Sequence, residues 1–151
     1  MVEHEVTFGS DVELPAALTR ESAHALVSHI LDAEGVKDSW LIGIQFVDDP
    51  TMQAAHVEFM DIDEPTDIMT FPYADENDVW GGDQPGGDLI ISADRARANA
   101  LDADWTEEDE LFFLIAHGLL HLLGWDDHSD DDRAKMLARQ RKLLESWDER
   151  P

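Results

Sequence analysis

Two histidines one helical turn apart most constrain what this chain can fold into. The stretch from Ala116 to His128 reads AHGLLHLLGWDDH, with His117 and His121 four residues apart. On a helix, that spacing puts both imidazoles on one face, where both can reach one metal ion. Gly124 offers the backbone freedom that commonly ends a helix, so a third ligand can turn back toward the pair. The pattern predicts a metal site on a helix and the following loop, although two ordinary core histidines would share the spacing.

Length and composition narrow the class of protein. The chain has 151 residues and 43% hydrophobic content, which predicts one domain over residues 1–151 with a substantial core. It contains no cysteine, so a metal must be held by His, Asp or Glu. The N-terminus is not a secretory signal, and no apolar run reaches the roughly 18 residues that span a membrane. We therefore expect a cytoplasmic protein without membrane contact.

The chain is strongly acidic. Its formal net charge is −25, from 35 acidic and 10 basic residues. Such a surface repels nucleic acid at long range and favours solubility. This charge is compatible with a high-salt habitat or with a basic protein partner, but it requires neither.

Hydrophobic periodicity predicts strands and helices in mixed order. Apolar alternation or short apolar runs predict four strands, over Val2–Phe8, Trp40–Val47, Pro65–Pro72 and Gly87–Ser92. Helical patterns with capping residues predict about five helices. These helices run from Pro15 to about Glu34, from Pro50 to about Met60, from the cap Ser92 or Asp94 to about Leu101, from the cap Thr106 to Leu123, and from Ser129 to Trp147. The expected fold is a single α+β domain with a small four-stranded mixed sheet.

Three motifs in order resemble those of the YbeY endoribonuclease family. Residues 117–128, HGLLHLLGWDDH, resemble the family's HGxLHLxGYDH, residues 65–72, PTDIMTFP, resemble PTDVLSFP, and residues 87–92, GDLIIS, resemble GDIxIS. The resemblance implies a zinc-dependent, single-strand-specific endoribonuclease that matures the 3′ end of small-subunit ribosomal RNA and acts in ribosome quality control. It also implies a cytoplasmic bacterial protein with one zinc ion per monomer. Its expected partners are single-stranded ribosomal RNA and small-subunit components, not DNA.

The chain departs from the family pattern at two places. Met60 stands where the family usually has an arginine thought to bind phosphate. His117 and His121 match two of the three family metal ligands, but Asp127 holds the register of the third, ten residues after His117. His128 is the neighbouring alternative, because a one-residue shift in a loop costs little. Zinc accepts carboxylate oxygen as well as imidazole nitrogen, so the register favours Asp127.

A zinc ion on three protein ligands, with its fourth position open, would lower the pKa of a bound water to about 7. That water could attack phosphorus or act as a base toward a ribose 2′-hydroxyl, which gives His117 a catalytic role through the metal. A metal-stabilised ribosome-assembly factor with little or no catalysis is the main alternative. A zinc peptidase is a weaker one, because Gly118 stands where the HExxH motif has its glutamate.

Two aspartates in the other motifs could act on the metal site. Asp67 or Asp88 could orient a metal-bound histidine as an outer carboxylate. Each could equally bond only to local backbone, Asp67 at a strand entrance and Asp88 after two glycines. We favour local bonding for both.

Overall fold

The computed structural model describes residues 3–60, 66–73, 85–125 and 127–148. Its elements confirm the predicted α+β fold, with four strands and five helices in the described part of the chain. In chain order they are β1 (Glu5–Ser10), α1 (Arg20–Ala33), β2 (Leu41–Val47), α2 (Asp49–Met60), β3 (Ile68–Pro72), β4 (Gly86–Ser92), α3 (Ala93–Ala103), α4 (Glu107–Leu122) and α5 (Asp130–Asp148).

The four strands form one mixed sheet in the order β1-β2-β4-β3. Strands β1, β2 and β4 are mutually parallel, and β3 pairs antiparallel to β4 at the edge. The nearly continuous apolar run of β2 explains its central place, since strands buried on both faces lose the alternating pattern. Pro72 ends the edge strand β3, where a missing N–H costs little.

Helix α4 is at the centre of the packing and contacts α1, α3, α5, β3 and β4. Its apolar face and the inward side chains of the sheet form the main core, which includes Ile44, Leu89 and Leu119. Gly118 allows the close approach, because a Cβ at this position would lie 2.7 Å from the Leu89 side chain and 2.9 Å from that of Ile68. The glycine beside His117 therefore allows the helix to pack close to β3 and β4.

Local hydrogen bonds set the helix ends. The predicted Thr106–Asp109 capping box is present, and Ser92 caps α3 by accepting from the backbone N–H of Arg95. The predicted starts of three elements differ most from the structure. Strand β3 begins at Ile68, and its predicted start, Pro65, lies outside the described residues. Helix α1 begins at Arg20 rather than Pro15, because Thr19 and Ser22 form a capping box. Strand β1 begins at Glu5 and continues in register with β2 to Ser10, and the predicted start, Val2, lies outside the described residues.

In residues 3–60, 66–73, 85–125 and 127–148, no helix combines the length and the apolar character that crossing a membrane requires.

Candidate metal centre

Helix α4 places the two predicted histidines together. His117 and His121 lie on one face, with their Nε2 atoms 3.0 Å apart and their ring planes at 86°. Both rings are partly exposed, at 21% and 26% for the side chains. The pair is therefore accessible from solvent and is held on a rigid, well-packed helix.

The chain turns back toward the pair directly after α4. Gly124 has φ 99°, and its N–H donates to the carbonyl oxygen of His121 while the N–H of Trp125 donates to that of Leu120. This is the Schellman arrangement that ends many helices. It brings Asp127 Oδ2 to 3.4 Å from His121 Nε2 and to 3.7 Å from His117 Nε2.

These three side chains form a group that could hold a metal ion. In the described part of the chain, one nitrogen of each of His117 and His121 and one oxygen of Asp127 lie within 4.8 Å of one another. His128, the alternative third ligand, is exposed and lines the same cleft, but it is not a member of this group.

Hydrogen bonds fix which nitrogen of each ring faces the group. Gln140 Nε2 donates to the Phe113 carbonyl oxygen at 2.8 Å, so Gln140 Oε1 accepts from His117 Nδ1 at 3.1 Å. The Trp125 carbonyl oxygen accepts from His121 Nδ1 at 3.2 Å. With both Nδ1 atoms protonated, the two Nε2 lone pairs and the Asp127 carboxylate face one another. Three converging acceptors repel, and a cation between them removes that repulsion, so this donor set fits a metal ion.

Burial favours the neutral, metal-binding form of His117. Desolvation lowers the pKa of His117 below its ordinary value of 6.5, and the neighbouring His121 lowers it as well. The bond to Gln140 and the carboxylates of Asp127 and Asp67 act in the opposite direction but with smaller effect. Since a histidine must be deprotonated at the ligating nitrogen, the lowered pKa reduces competition from protons near neutral pH.

The histidine pair opens into a cleft of about 360 Å³. Its opposite wall is the start of β3, from Asp67 to Thr70. The Asp67 side chain accepts from Asn99 Nδ2 on α3 at 3.4 Å, which is a contact between distant segments and not the local backbone bond favoured from the sequence. The Asp67 backbone carbonyl oxygen accepts from the N–H of Ser92, which is also distant along the chain. Asp67 therefore reaches the cleft, and its carboxylate is bonded to a side chain of α3.

Asp88 is not part of this cleft. It follows the core-facing Gly87 and precedes the buried Leu89, so strand alternation points it to the other face of the sheet. There the Tyr73 hydroxyl donates to its carboxylate, and burial with this bond raises the pKa of Tyr73. An outer carboxylate role for Asp88 at the histidines is excluded by this position, and its partner is a side chain rather than local backbone.

Sequence reasoning missed two buried polar residues, of which Gln140 contacts the site directly. Gln140 is fully buried on α5, between Met136 and Leu143 of the predicted apolar stripe, and it orients His117. A polar residue at an apolar position of a helix was the available signal. Glu110, two turns before His117 on α4, is 6% exposed and accepts from Trp105 Nε1 at 3.0 Å.

We expect Glu110 to make folding pH-dependent. Burial raises the pKa of Glu110 above its ordinary 4.5, and the nearby charge of Asp67 adds a smaller effect in the same direction. The hydrogen bonds from Asn99 and Trp105 lower the pKa, but they do not offset the effect of burial. Above pH 4.5 the folded protein then holds a proton that the unfolded chain releases, so the free energy of unfolding falls as pH rises. Glu110→Gln should remove this slope while keeping an acceptor for Trp105.

Urea unfolding of metal-free protein between pH 4.5 and 8 measures this effect. The free energy of unfolding of Glu110→Gln minus that of the wild type should increase with pH and then level off. An exposed control, Glu58→Gln on α2, should show no such trend. A constant difference for Glu110→Gln at every pH would contradict the raised pKa.

A second prediction separates the two candidates for the third ligand. Asp127→Ala should lower zinc affinity by roughly tenfold or more, because the loss of even a residue that only orients a metal ligand typically costs about tenfold. His128→Ala should leave zinc affinity within about twofold, because zinc sites are fixed by their direct ligands. Competition against a chelating dye measures both variants under identical conditions. Loss of zinc in His128→Ala alone would show that the loop bends to present the histidine instead.

The fold and the site together define a class: a small α+β protein in which two helix histidines and a loop aspartate can hold a metal ion. A sequence model described as endoribonuclease YbeY matches residues 7–148. The chain belongs to the YbeY family, as its three motifs predict.

Individual relatives agree with this assignment. An endoribonuclease YbeY from Oceanobacillus iheyensis is 36% identical over 129 residues, which cover 79% of this chain and 84% of the relative. One from Frankia alni is 37% identical over 131 residues, covering 82% and 72%. The solution structure of TM1509 from Thermotoga maritima shares the fold, with a TM-score of 0.65 at 24% identity over 94% of this chain and 88% of that one.

Proposed function

We propose that this protein is a zinc-dependent, single-strand-specific endoribonuclease. Its substrate would be ribosomal RNA in the bacterial cytoplasm, where it would mature the 3′ end of the small-subunit RNA and act in ribosome quality control alongside small-subunit components. The observation that carries the proposal is the convergence of His117, His121 and Asp127 in a cleft of a YbeY family member. The names of the relatives support RNA cleavage as the reaction.

Zinc suits these ligands. Two imidazole nitrogens and one carboxylate oxygen are the protein ligands of known catalytic zinc sites, and the chain has no cysteine, so His and Asp must supply the ligands. When bound, zinc would supply a Lewis acid and lower the pKa of a coordinated water to about 7. Three protein ligands are typical of catalytic sites, which keep one position for water or substrate.

The surrounding residues orient the ligands and shape the cleft. Gln140 and the Trp125 carbonyl hold the Nδ1 protons of the two histidines, so each ring presents its Nε2 to the cleft. The β3 wall from Asp67 to Thr70 lies opposite and would contact the RNA strand. An unpaired strand can place one nucleotide into such a concave site, whereas a duplex keeps its bases stacked and its backbone on a convex surface.

The test uses purified protein without a histidine tag and a labelled single-stranded RNA oligomer. Cleavage should require zinc, stop with chelator and return when zinc is restored. The same sequence as duplex RNA, single-stranded DNA and casein are controls that should remain intact. Casein cleavage that His117→Ala abolishes, with intact RNA, would instead indicate a peptidase.

A metal-stabilised ribosome-assembly factor with little or no catalysis is the second candidate. The net charge of −25 favours it, because RNA binding normally gains from basic surfaces that release counterions. Met60 in place of the family arginine favours it too. Under this alternative, zinc would stabilise the fold and binding to ribosomal particles, and the RNA oligomer would survive.

We expect Met60→Arg to raise RNA binding or cleavage. Met60 ends α2, and its side chain lies outside the described part of the structure. A charge-assisted contact to phosphate is worth on the order of 1.5–3 kcal/mol, so the gain should be about tenfold or more. Met60→Gln is the uncharged control and should change little. No gain in binding or rate from the arginine would mean that the chain does not need a phosphate contact at this position.

A further inference from the structure

A second concave surface lies between the start of α4 and the end of α5. This aromatic groove has a volume of about 370 Å³ and shares no lining residue with the metal cleft. Its apolar lining comes from two ring pairs and one aliphatic side chain. The rings of Trp105 and Phe113 have centroids 5.3 Å apart, those of Phe112 and Trp147 lie 4.9 Å apart, and Leu144 completes the lining.

The groove has the composition of a binding surface. Trp105 is 39% exposed, and Leu101, one turn before it at the end of α3, is 79% exposed. Aromatic side chains that contact both solvent and an apolar floor are enriched at protein interfaces and at the few positions that dominate binding energy. The groove runs along two helices, the geometry that receives an amphipathic helix from a partner.

The rim of this apolar floor carries more acidic than basic side chains. Asp109 on α4 and Glu145 on α5 line opposite sides and are both exposed, and the exposed Asp104 directly precedes Trp105. Asp109 also stabilises the N-terminus of its own helix. Glu145 does not, because it lies near the C-terminus of α5, where the helix dipole disfavours a negative charge. Arg141, one turn earlier on α5, also lines the groove, so the charged side chains of the lining are two acidic and one basic.

We propose that the aromatic groove binds an amphipathic helical segment of a basic protein, with apolar side chains on the aromatic floor and Lys or Arg facing the acidic rim. The net charge of −25 attracts such a partner at long range, and it makes RNA or a second copy of this chain a less favourable occupant of this groove. The proposal does not depend on the chemistry of the metal centre.

The first test is binding of a fluorescent, helix-forming peptide with leucines along one face and lysines elsewhere. The matched control peptide keeps the leucines and replaces each lysine by glutamate. Polarisation should show binding of the lysine peptide alone, and the indole N–H resonance of Trp105 should shift in the ¹⁵N spectrum of the protein. Binding of both peptides, or of neither, would overturn the proposal. So would a single-stranded RNA oligomer that shifts the Trp105 signal while the lysine peptide does not.

Charge variants on the exposed surface locate the peptide without disturbing the fold. Glu145→Lys should weaken binding roughly three- to tenfold at low salt, and Arg141→Glu, one turn away on α5, should strengthen it by a similar factor. Glu58→Lys on α2 makes the same change in net charge away from the groove and should have little effect. Equal weakening by Glu145→Lys and Glu58→Lys would mean that the peptide senses only overall charge, and the groove would not be the site.

Discussion

Replacing His117 or His121 by alanine is expected to lower zinc affinity by roughly a hundredfold or more. Removing a residue that only orients a ligand typically costs about 10–100-fold, and each of these histidines would bind the ion itself. Cleavage of single-stranded RNA should fall to background in both variants under the proposed function. Retained zinc after dialysis against a competing chelator, together with initial rates of RNA cleavage, measures both effects.

His29→Ala is the matched control for these variants. His29 lies on α1, and its Nε2 contacts Ser146 Oγ at 2.8 Å and the Leu143 carbonyl oxygen at 3.1 Å, outside the metal cleft. It should retain zinc and activity. Circular dichroism checks that each variant folds, since losing the His117 ring leaves Gln140 without one of its partners. Full zinc binding by both α4 variants would contradict the site.

Zinc should stabilise the folded protein strongly. An ion that binds only the folded state at 100 times its dissociation constant adds about 2.7 kcal/mol. For a chain of this length, that raises the thermal midpoint by roughly 5–10 °C. The rise should diminish as pH falls through the lowered pKa of His117, below its ordinary 6.5, because the imidazole then takes up a proton that competes with the metal.

Scanning calorimetry of metal-free protein, with and without zinc, measures the midpoint. Magnesium at the same concentration is the control ion, because it prefers oxygen ligands and should shift the midpoint little. Asp127→Ala should reduce the zinc shift. An unchanged midpoint with zinc would contradict both a structural and a catalytic metal site.

Local sequence signals predicted most of the fold. The apolar run of β2, the Thr106–Asp109 capping box and the Ser92 cap are each determined within a few residues, and each is present in the structure. The predicted starts of β1 and α1 were less accurate. β1 takes its register from pairing with β2, a contact between distant segments, and the Thr19–Ser22 box overrides the helix-starting preference of Pro15.

The candidate site was predictable only where its geometry is local. The i,i+4 spacing and Gly124 predicted that His117 and His121 share a face and that the chain turns back after them, because both follow from helix geometry. Gln140 lies 23 residues further along the chain, and its contact with His117 depends on how α5 packs against α4. Hydrophobic periodicity predicts which face of a helix is buried, but it does not predict which helix or strand packs against that face.

The most direct test combines metal binding and catalysis in one titration. Metal-free protein is titrated with zinc, and bound zinc and the rate of single-stranded RNA cleavage are measured in the same samples, with His121→Ala prepared identically to reveal contaminating nuclease. The proposed site predicts that the rate rises linearly with zinc and stops rising at about one ion per chain, as three-ligand sites bind one ion. A rate that is the same without metal, or in His121→Ala, would contradict it.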